Sequence, residues 1–229
     1  GSTLFLADEF GGAILGYTQS IPTGVTRYPL TKLHSPVSLH RVEDLLFFAC
    51  YGYGNGEHAG VGYLDIHSEK IVEHELTGSP NHVHFVDTFR WKSKGKSGAF
   101  ILAANLGASK LQRVDVSAMS GKISLVDVYD FHKLGGLPVN PRHFRQLPDT
   151  NRIVVMTEDY HCELQLLEYR PESQRFEHVF SLGMHEALYP GSSLPVTDYE
   201  NTTGAELQLG HSGLLYVPAI WIWICNADD

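Results

Sequence analysis

The 229-residue sequence lacks helical periodicity: no long stretch sets apolar residues at i, i+3, i+4 and i+7. It has only three cysteines, Cys50, Cys162 and Cys225, odd in number, far apart and in no CxxC spacing. That argues against a disulfide scaffold or a structural zinc site and makes a reducing cytoplasm the expected compartment. Dense basic tracts are missing too. Net charge is -9, and the densest cationic cluster, "RWKSKGK" at 90–96, reads as a solvated loop. Nucleic acid and anionic membrane are therefore poor partners. No leader pattern is legible. The longest apolar run, "LLYVPAIWIWIC" at 214–225, is too short for a spanning helix and holds Pro218. No cofactor fingerprint and no resident metal are expected.

What remains is a turn-rich β pattern. Hydrophobic residues make up 43% and charged residues 19%, the balance of a globular chain, and 22 glycines and 11 prolines punctuate short β-rich runs. One pattern recurs: "LFLADE" at Leu4, "LFFACY" at Leu46, "ILAANL" at Ile101, "IVVMTE" at Ile153 and "LYVPAI" at Leu215. The first four are followed by "AILGY", "GVGYLDI", "KLQRVDV" and "ELQLLEY", and "FEHVFSL" reads as a fourth strand. Ahead of the later runs stand "SPVSLHRVED", "SPNHVHFVDT", "NPRHFRQLPD" and "TGAELQLGHS". Repeats at roughly 40–60 residues, each a four-stranded antiparallel meander, are blades of a β-propeller. The expectation is an all-β chain forming a single propeller domain over residues 1–229.

Blade topology makes one unit chemically informative. The start of a first strand and the end of a second lie at the same edge of an antiparallel pair. In "NPRHFRQLPDTNRIVVMTED" this returns Glu158 to the edge where Arg142 and His143 begin. The same argument places Asn81, His82 and Glu206 at the corresponding edges of their own units. That edge of a propeller opens into the central funnel, where side chains converge on a ligand.

These segments resemble the lactonase family of seven-bladed β-propellers, which includes 6-phosphogluconolactonases and carboxy-muconate lactonizing enzymes. "NPRHFRQLPD" is similar to the family's Gly-Pro-Arg-His strand and "IVVMTED" to its Tyr-Val-x-Asn-Glu strand end. "GAELQLGHSGLLYV" is similar to its Ala-(Ser/Asp)-(Glu/Asp)-Ile segment and the strand after it, and "GSPNHVHFVD" sits where the family has Gly-x-His-x-His. The chain departs from the pattern at Asn81, in the family histidine's place, at Thr157, in the asparagine's place, and at Ala219, where no arginine follows the late strand. Seven blades of about 45 residues exceed this length, which has room for roughly five.

The resemblance implies a lactonase-type enzyme acting on a small anionic lactone, an acidic sugar lactone or a muconate. It carries Arg142 as anion or oxyanion ligand, Glu158 as base or orienting carboxylate, His143 or His82 as acid/base or donor, and Glu206 as second carboxylate. From spacing alone, Arg142 and Glu158 read equally as a surface ion pair, which contributes little, and His143 as a structural histidine. Two further readings stay open: a non-catalytic propeller serving as a binding or scaffold module, and a calcium-dependent lactonase with Glu158, Glu206 and Asn105 as ligands. His82 and His84 alternate as in a strand and more often pack than chelate. His34, His40, His58, His67, His74 and His132 read as loop or surface residues, Asp159 and His161 as a turn, and Trp221 and Trp223 as blade packing.

Overall fold

The computed structural model describes residues 3–18, 24–78, 80–131, 139–158, 163–183, 202–204, 207–209, 215–216 and 219–221. Glu206, Asp159, His161, His132, Cys162, Cys225 and Trp223 lie outside them.

Every described element is a strand. β1 (Thr3–Asp8), β2 (Ala13–Thr18) and β3 (Val25–Pro29) form a three-stranded sheet. Three four-stranded sheets follow. The first holds β4 (Pro36–Val42), β5 (Leu45–Cys50), β6 (Gly60–Asp65) and β7 (Lys70–Glu75). The second holds β8 (Val83–Ser93), β9 (Lys96–Asn105), β10 (Lys110–Val116) and β11 (Ile123–Asp130). The third holds β12 (Asn140–Gln146), β13 (Arg152–Glu158), β14 (Glu163–Arg170) and β15 (Arg175–Gly183). In each, spatial order follows chain order. Two short pairs come last: β16 (Thr202–Gly204) with β19 (Ala219–Trp221), and β17 (Gln208–Leu209) with β18 (Leu215–Tyr216).

The contacts divide the chain into two compact units, one of residues 1–89 and 99–127, the other of residues 90–98 and 128–229. In the first unit the apolar run of β5 shows why such runs do not alternate with polar residues. Phe47 packs with Val61, Val83 and Ile101 in one core cluster, while its neighbour Phe48 packs with Ile14, Leu33 and Leu64 in another. A strand with a core on each face must be apolar at every position. Gly62, opposite Phe48, leaves room for that ring: a Cβ there would stand 2.2 Å from Phe48 Cζ.

Glu73 on β7 ties the segment between β3 and β4 to this unit. Its carboxylate accepts from the backbone N–H groups of Thr31 (3.0 Å), Lys32 (2.8 Å) and Leu33 (2.8 Å) and from the Thr31 hydroxyl (2.7 Å). Burial pushes its proton affinity up, but the donors of Leu33, Lys32 and Thr31 outweigh burial and hold the carboxyl below its usual range. Because the folded value is depressed, this stabilisation is complete above the unfolded carboxylate value of about 4.3 and is lost as pH falls through the folded value. Glu73→Gln is expected to cost about 2–3 kcal/mol at neutral pH, the range for bonds to a charged acceptor. Urea unfolding at neutral and acid pH checks this: the gap to the parent chain should narrow as pH falls, and a constant gap would contradict the assignment.

The "RWKSKGK" segment is not a loop. β8 runs to Ser93 and β9 begins at Lys96, with Lys94 (φ 47°) and Gly95 (φ 76°) forming the two-residue turn between them. Two successive positive φ values are what a tight hairpin needs to match strand twist. Arg90, Lys92, Lys94 and Lys96 are all exposed, so the cations are solvated as expected, but on strand and turn backbone. The edge of β8 here is covered by side-chain amides of the second unit. Gln146 accepts from Arg90 N–H (2.9 Å) and donates to Arg90 C=O (2.5 Å). Asn151 does the same at Lys92 (2.9 and 2.8 Å). Each amide mimics a neighbouring strand at alternate residues, which blunts an edge that would otherwise invite pairing with another chain.

Candidate functional site

In the second unit the β12–β13 hairpin sets the register of the candidate residues. Asn140 pairs with Glu158 and Pro141 with Thr157, then the register shifts so that His143 pairs with Met156. Arg142 is the extra residue of a β-bulge at the start of the strand. A bulge breaks the alternation of side chains and re-aims the residue it inserts. β4 carries the same shift between Pro36 and Ser38, with Val37 in the bulge. The bulge is thus a feature of the repeat, and the arginine is what distinguishes this hairpin. Arg142 is half-buried and His143 is 4% exposed.

His143 and Arg145 both hold Leu207. The Leu207 N–H donates to His143 Nδ1 (3.3 Å), and Arg145 Nε donates to the Leu207 carbonyl (2.9 Å). Two side chains of β12 therefore fix both backbone groups of the sequence neighbour of Glu206. Leu207 is fully buried.

Thr157 is also buried and fully engaged. Its Oγ1 donates to Glu163 C=O (3.2 Å) and accepts from Glu163 N–H (3.0 Å). Nearby Gln165, opposite Val155, is 1% exposed and donates from Nε2 to Glu163 (3.2 Å), but its buried Oε1 has no partner among the described residues. In the first unit the corresponding glutamine, Gln112, has its Oε1 bonded by Asn105 (3.1 Å). Threonine is too short to reach as that asparagine does, so Thr157 does not bond Gln165 Oε1 as Asn105 bonds Gln112.

In the first unit His82 occupies the place in "SPNHV" that His143 holds in "NPRHF" and is 8% exposed. Its Nδ1 faces Tyr51 C=O at 2.9 Å, and its ring stacks on Tyr51 with centroids 4.3 Å apart. A carbonyl only accepts, so Nδ1 carries a proton and the neutral ring has its lone pair on Nε2. Tyr51 follows Cys50, which pairs with Pro36 as Thr157 pairs with Pro141, so the first unit has a tyrosine where the second has Glu158.

Asn105 is the centre of a buried network that the sequence did not single out as structural. Its Nδ2 donates to Asn81 Oδ1 (3.0 Å) and to Gln112, and its Oδ1 accepts from His82 N–H (3.1 Å) and Ala108 N–H (3.2 Å). Gln112 passes the chain on to Asp127 (2.8 Å), which also holds Lys110 (2.6 Å). The Asn105 amide is thus committed to the fold, which removes it as a calcium ligand. Asn81, in the family histidine's place, bonds Asn105 and the Gly78 carbonyl. Among the described residues no three His, Cys, Asp or Glu side chains are grouped to hold a metal ion.

His40 and His74 lie on β4 and β7 rather than in loops. His40 bridges Asp87 (Nδ1, 3.0 Å) and Thr88 (Nε2, 2.7 Å), an order of carboxylate, imidazole and hydroxyl. Thr88 lies within a strand and its N–H is spent on Asp87 (2.7 Å), so the row serves to join β4 to β8. A pocket of about 240 Å³ in the second unit, lined by Arg90, Lys92, Asp149 and Asn151, sits at the turn end of the β12–β13 hairpin. At about 3.3 Å per residue that is a strand length away from Arg142 and separate from the candidate site.

No protein-family model and no curated protein sequence matches the chain. Solved structures do. A candidate 6-phosphogluconolactonase of Bacteroides fragilis aligns with TM-score 0.62 and 16% identity over 96% of this chain and 61% of its own. A second, from Bacteroides uniformis, gives 0.53 and 11% over 90% and 56%. The Cps50 (Swd1) β-propeller domain of Myceliophteria thermophila gives 0.56 and 16% over 94% and 59%. The chain thus spans less than two thirds of the length of each. Identities this low speak to fold alone. Together with the meander order of its sheets, they establish that the chain has a β-propeller fold built from four-stranded antiparallel blades.

Proposed function

We propose that the chain carries lactonase-type chemistry, hydrolysing or forming a lactone of an acidic sugar or muconate, in the manner of a 6-phosphogluconolactonase. The observation that supports it most is the register of the β12–β13 hairpin, with Arg142 in the bulge beside the Asn140–Glu158 pair. By register, Arg142 and Glu158 belong to one strand end, where the β4–β5 hairpin has Val37 and Tyr51. Arg142 binds the substrate's anionic group or the developing oxyanion through its planar fork. Glu158 takes a proton from the attacking water as its oxygen bonds to the lactone carbonyl carbon. The carbonyl pair moves onto oxygen, the tetrahedral species collapses, the ring C–O bond breaks and the leaving alkoxide takes the proton back. Glu206 is the second carboxylate of this reading.

The test is turnover of 6-phosphogluconolactone above its spontaneous rate, followed by pH-stat. Glu158→Gln should lower it about 10²–10⁴-fold, the usual worth of a general base. The second reading is a non-catalytic propeller that binds a partner. It is favoured by Thr157 standing where the lactonase pattern has asparagine, and it stands if no turnover exceeds the spontaneous rate.

A further inference from the structure

We propose that the pocket at the turn end of the β12–β13 hairpin is a binding site for a small phosphate monoester, held by Arg90 and Lys92. The cavity measures about 240 Å³ and is lined by these two residues of β8 and by the turn from Gln146 to Asn151. That is below the roughly 300 Å³ at which pockets for drug-sized ligands begin, so its guest is small. Residues two apart on a strand share a face, so the Arg90 and Lys92 side chains leave β8 on the same side, about 6.6 Å apart at the backbone. Two cations at that spacing can close on one dianion, and the guanidinium fork matches phosphate oxygens.

The side-chain amides and the hydroxyl around the cavity are already engaged. Both ends of the Gln146 amide hold Arg90, and its nitrogen also donates to Thr150 C=O (2.7 Å). Both ends of the Asn151 amide hold Lys92, and the Thr150 hydroxyl donates to Leu147 C=O (3.0 Å) and accepts from Arg152 N–H (3.1 Å). These bonds reach the backbone of residues 90 and 92, so the frame does not depend on their side chains. The cations differ. Among the described residues the Arg90 guanidinium has no hydrogen bond or ion pair, and the Lys92 ammonium meets only Asp149, at 4.0 Å. Lys94 and Arg152 of the same unit, by contrast, meet Glu172 at 3.3 Å and Glu168 at 3.4 Å. The Lys92 and Asp149 side chains are 78% and 94% exposed, so that pair contributes little and opens readily to a guest. Net charge is -9, which repels anions in general, so an anion held here is held by the local site rather than by the field of the whole chain.

Proton–nitrogen correlation spectra during titration with inorganic phosphate and with glycerol 3-phosphate, at constant ionic strength, test this. Both should shift the backbone signals of residues 90–92 and 149–151 along a saturating curve, and the ester should bind at least as tightly as phosphate. Arg90→Gln should raise the dissociation constant at least about 10-fold, the worth of hydrogen bonds to a charged group. Asp149→Asn should lower it about 2–5-fold by removing the competing carboxylate. Asparagine accepts the positive φ of 56° at this position, so the turn is kept. Lys70→Gln, on β7 of the first unit, makes the same change in net charge as Arg90→Gln and should alter nothing. Shifts that do not saturate, an unchanged constant in Arg90→Gln, or an equal weakening in Lys70→Gln would overturn the site. Saturation by phosphate but not by the ester would overturn the ester as its ligand. The readout is binding at this turn, apart from lactone turnover at the Arg142 strand end, so either reading can fail without the other.

Discussion

Arg142→Ala should lower kcat/KM for an anion-bearing lactone by about 10²–10³-fold, the range for removing a preorganised oxyanion or phosphate ligand. The thermal midpoint should move little. Arg142 is half-buried and lies in a bulge, outside the ladder pairing that holds β12 to β13. The β4 bulge tolerates Val37 at the same place, so the backbone does not need an arginine there. Arg142→Lys should recover only part of the loss, since an ammonium is a point charge without the planar fork. Steady-state kinetics with circular dichroism on the same samples checks both halves. A large fall in stability with unchanged turnover would make Arg142 a structural residue.

Asn105→Asp should be the most damaging conservative change in the first unit. The substitution keeps shape but replaces two donors by acceptors. The new oxygen would face Asn81 Oδ1 and Gln112 Oε1, both already acceptors, in a place that is fully buried. Two lost buried hydrogen bonds plus an uncompensated carboxylate suggest a cost of about 3–5 kcal/mol at neutral pH. Burial and the two facing oxygens would raise the folded pKa of the new carboxyl above its unfolded value. The cost is therefore largest at neutral pH and shrinks as pH falls and the group takes up a proton. Denaturant unfolding at pH 7 and pH 5 measures this. A loss under 1 kcal/mol, or one that grows on acidification, would contradict the network.

The blade pattern was legible because it is local. "SPVSL", "SPNHV" and "NPRHF" each open a unit, "LLFFAC", "AFILAAN" and "RIVVMTE" follow, and "FEHVFSL" falls on β15. Period, turn residues and β-branched runs suffice for that. The antiparallel return of Glu158 to the Asn140 edge was legible for the same reason, as a consequence of hairpin geometry. What was not legible depends on partners distant in sequence. Glu73 looks like any strand-edge glutamate until the three N–H groups of residues 31–33 are found on it. Asn105 looked like a metal ligand until both ends of its amide were accounted for. The anchoring of Leu207 by His143 and Arg145 spans more than sixty residues of sequence. "RWKSKGK" misled for a different reason: its charge density outweighed the alternation and the Lys-Gly turn that mark a hairpin.

The central claim is that the strand end carrying Arg142 and Glu158 recognises an anionic lactone. It is tested most directly by comparing kcat/KM for 6-phosphogluconolactone and for the unphosphorylated gluconolactone, in the parent chain and in Arg142→Ala. The account predicts a preference for the phosphorylated substrate that collapses toward unity in the variant. No turnover above the spontaneous rate in the parent, or a preference that survives the loss of Arg142, would contradict it.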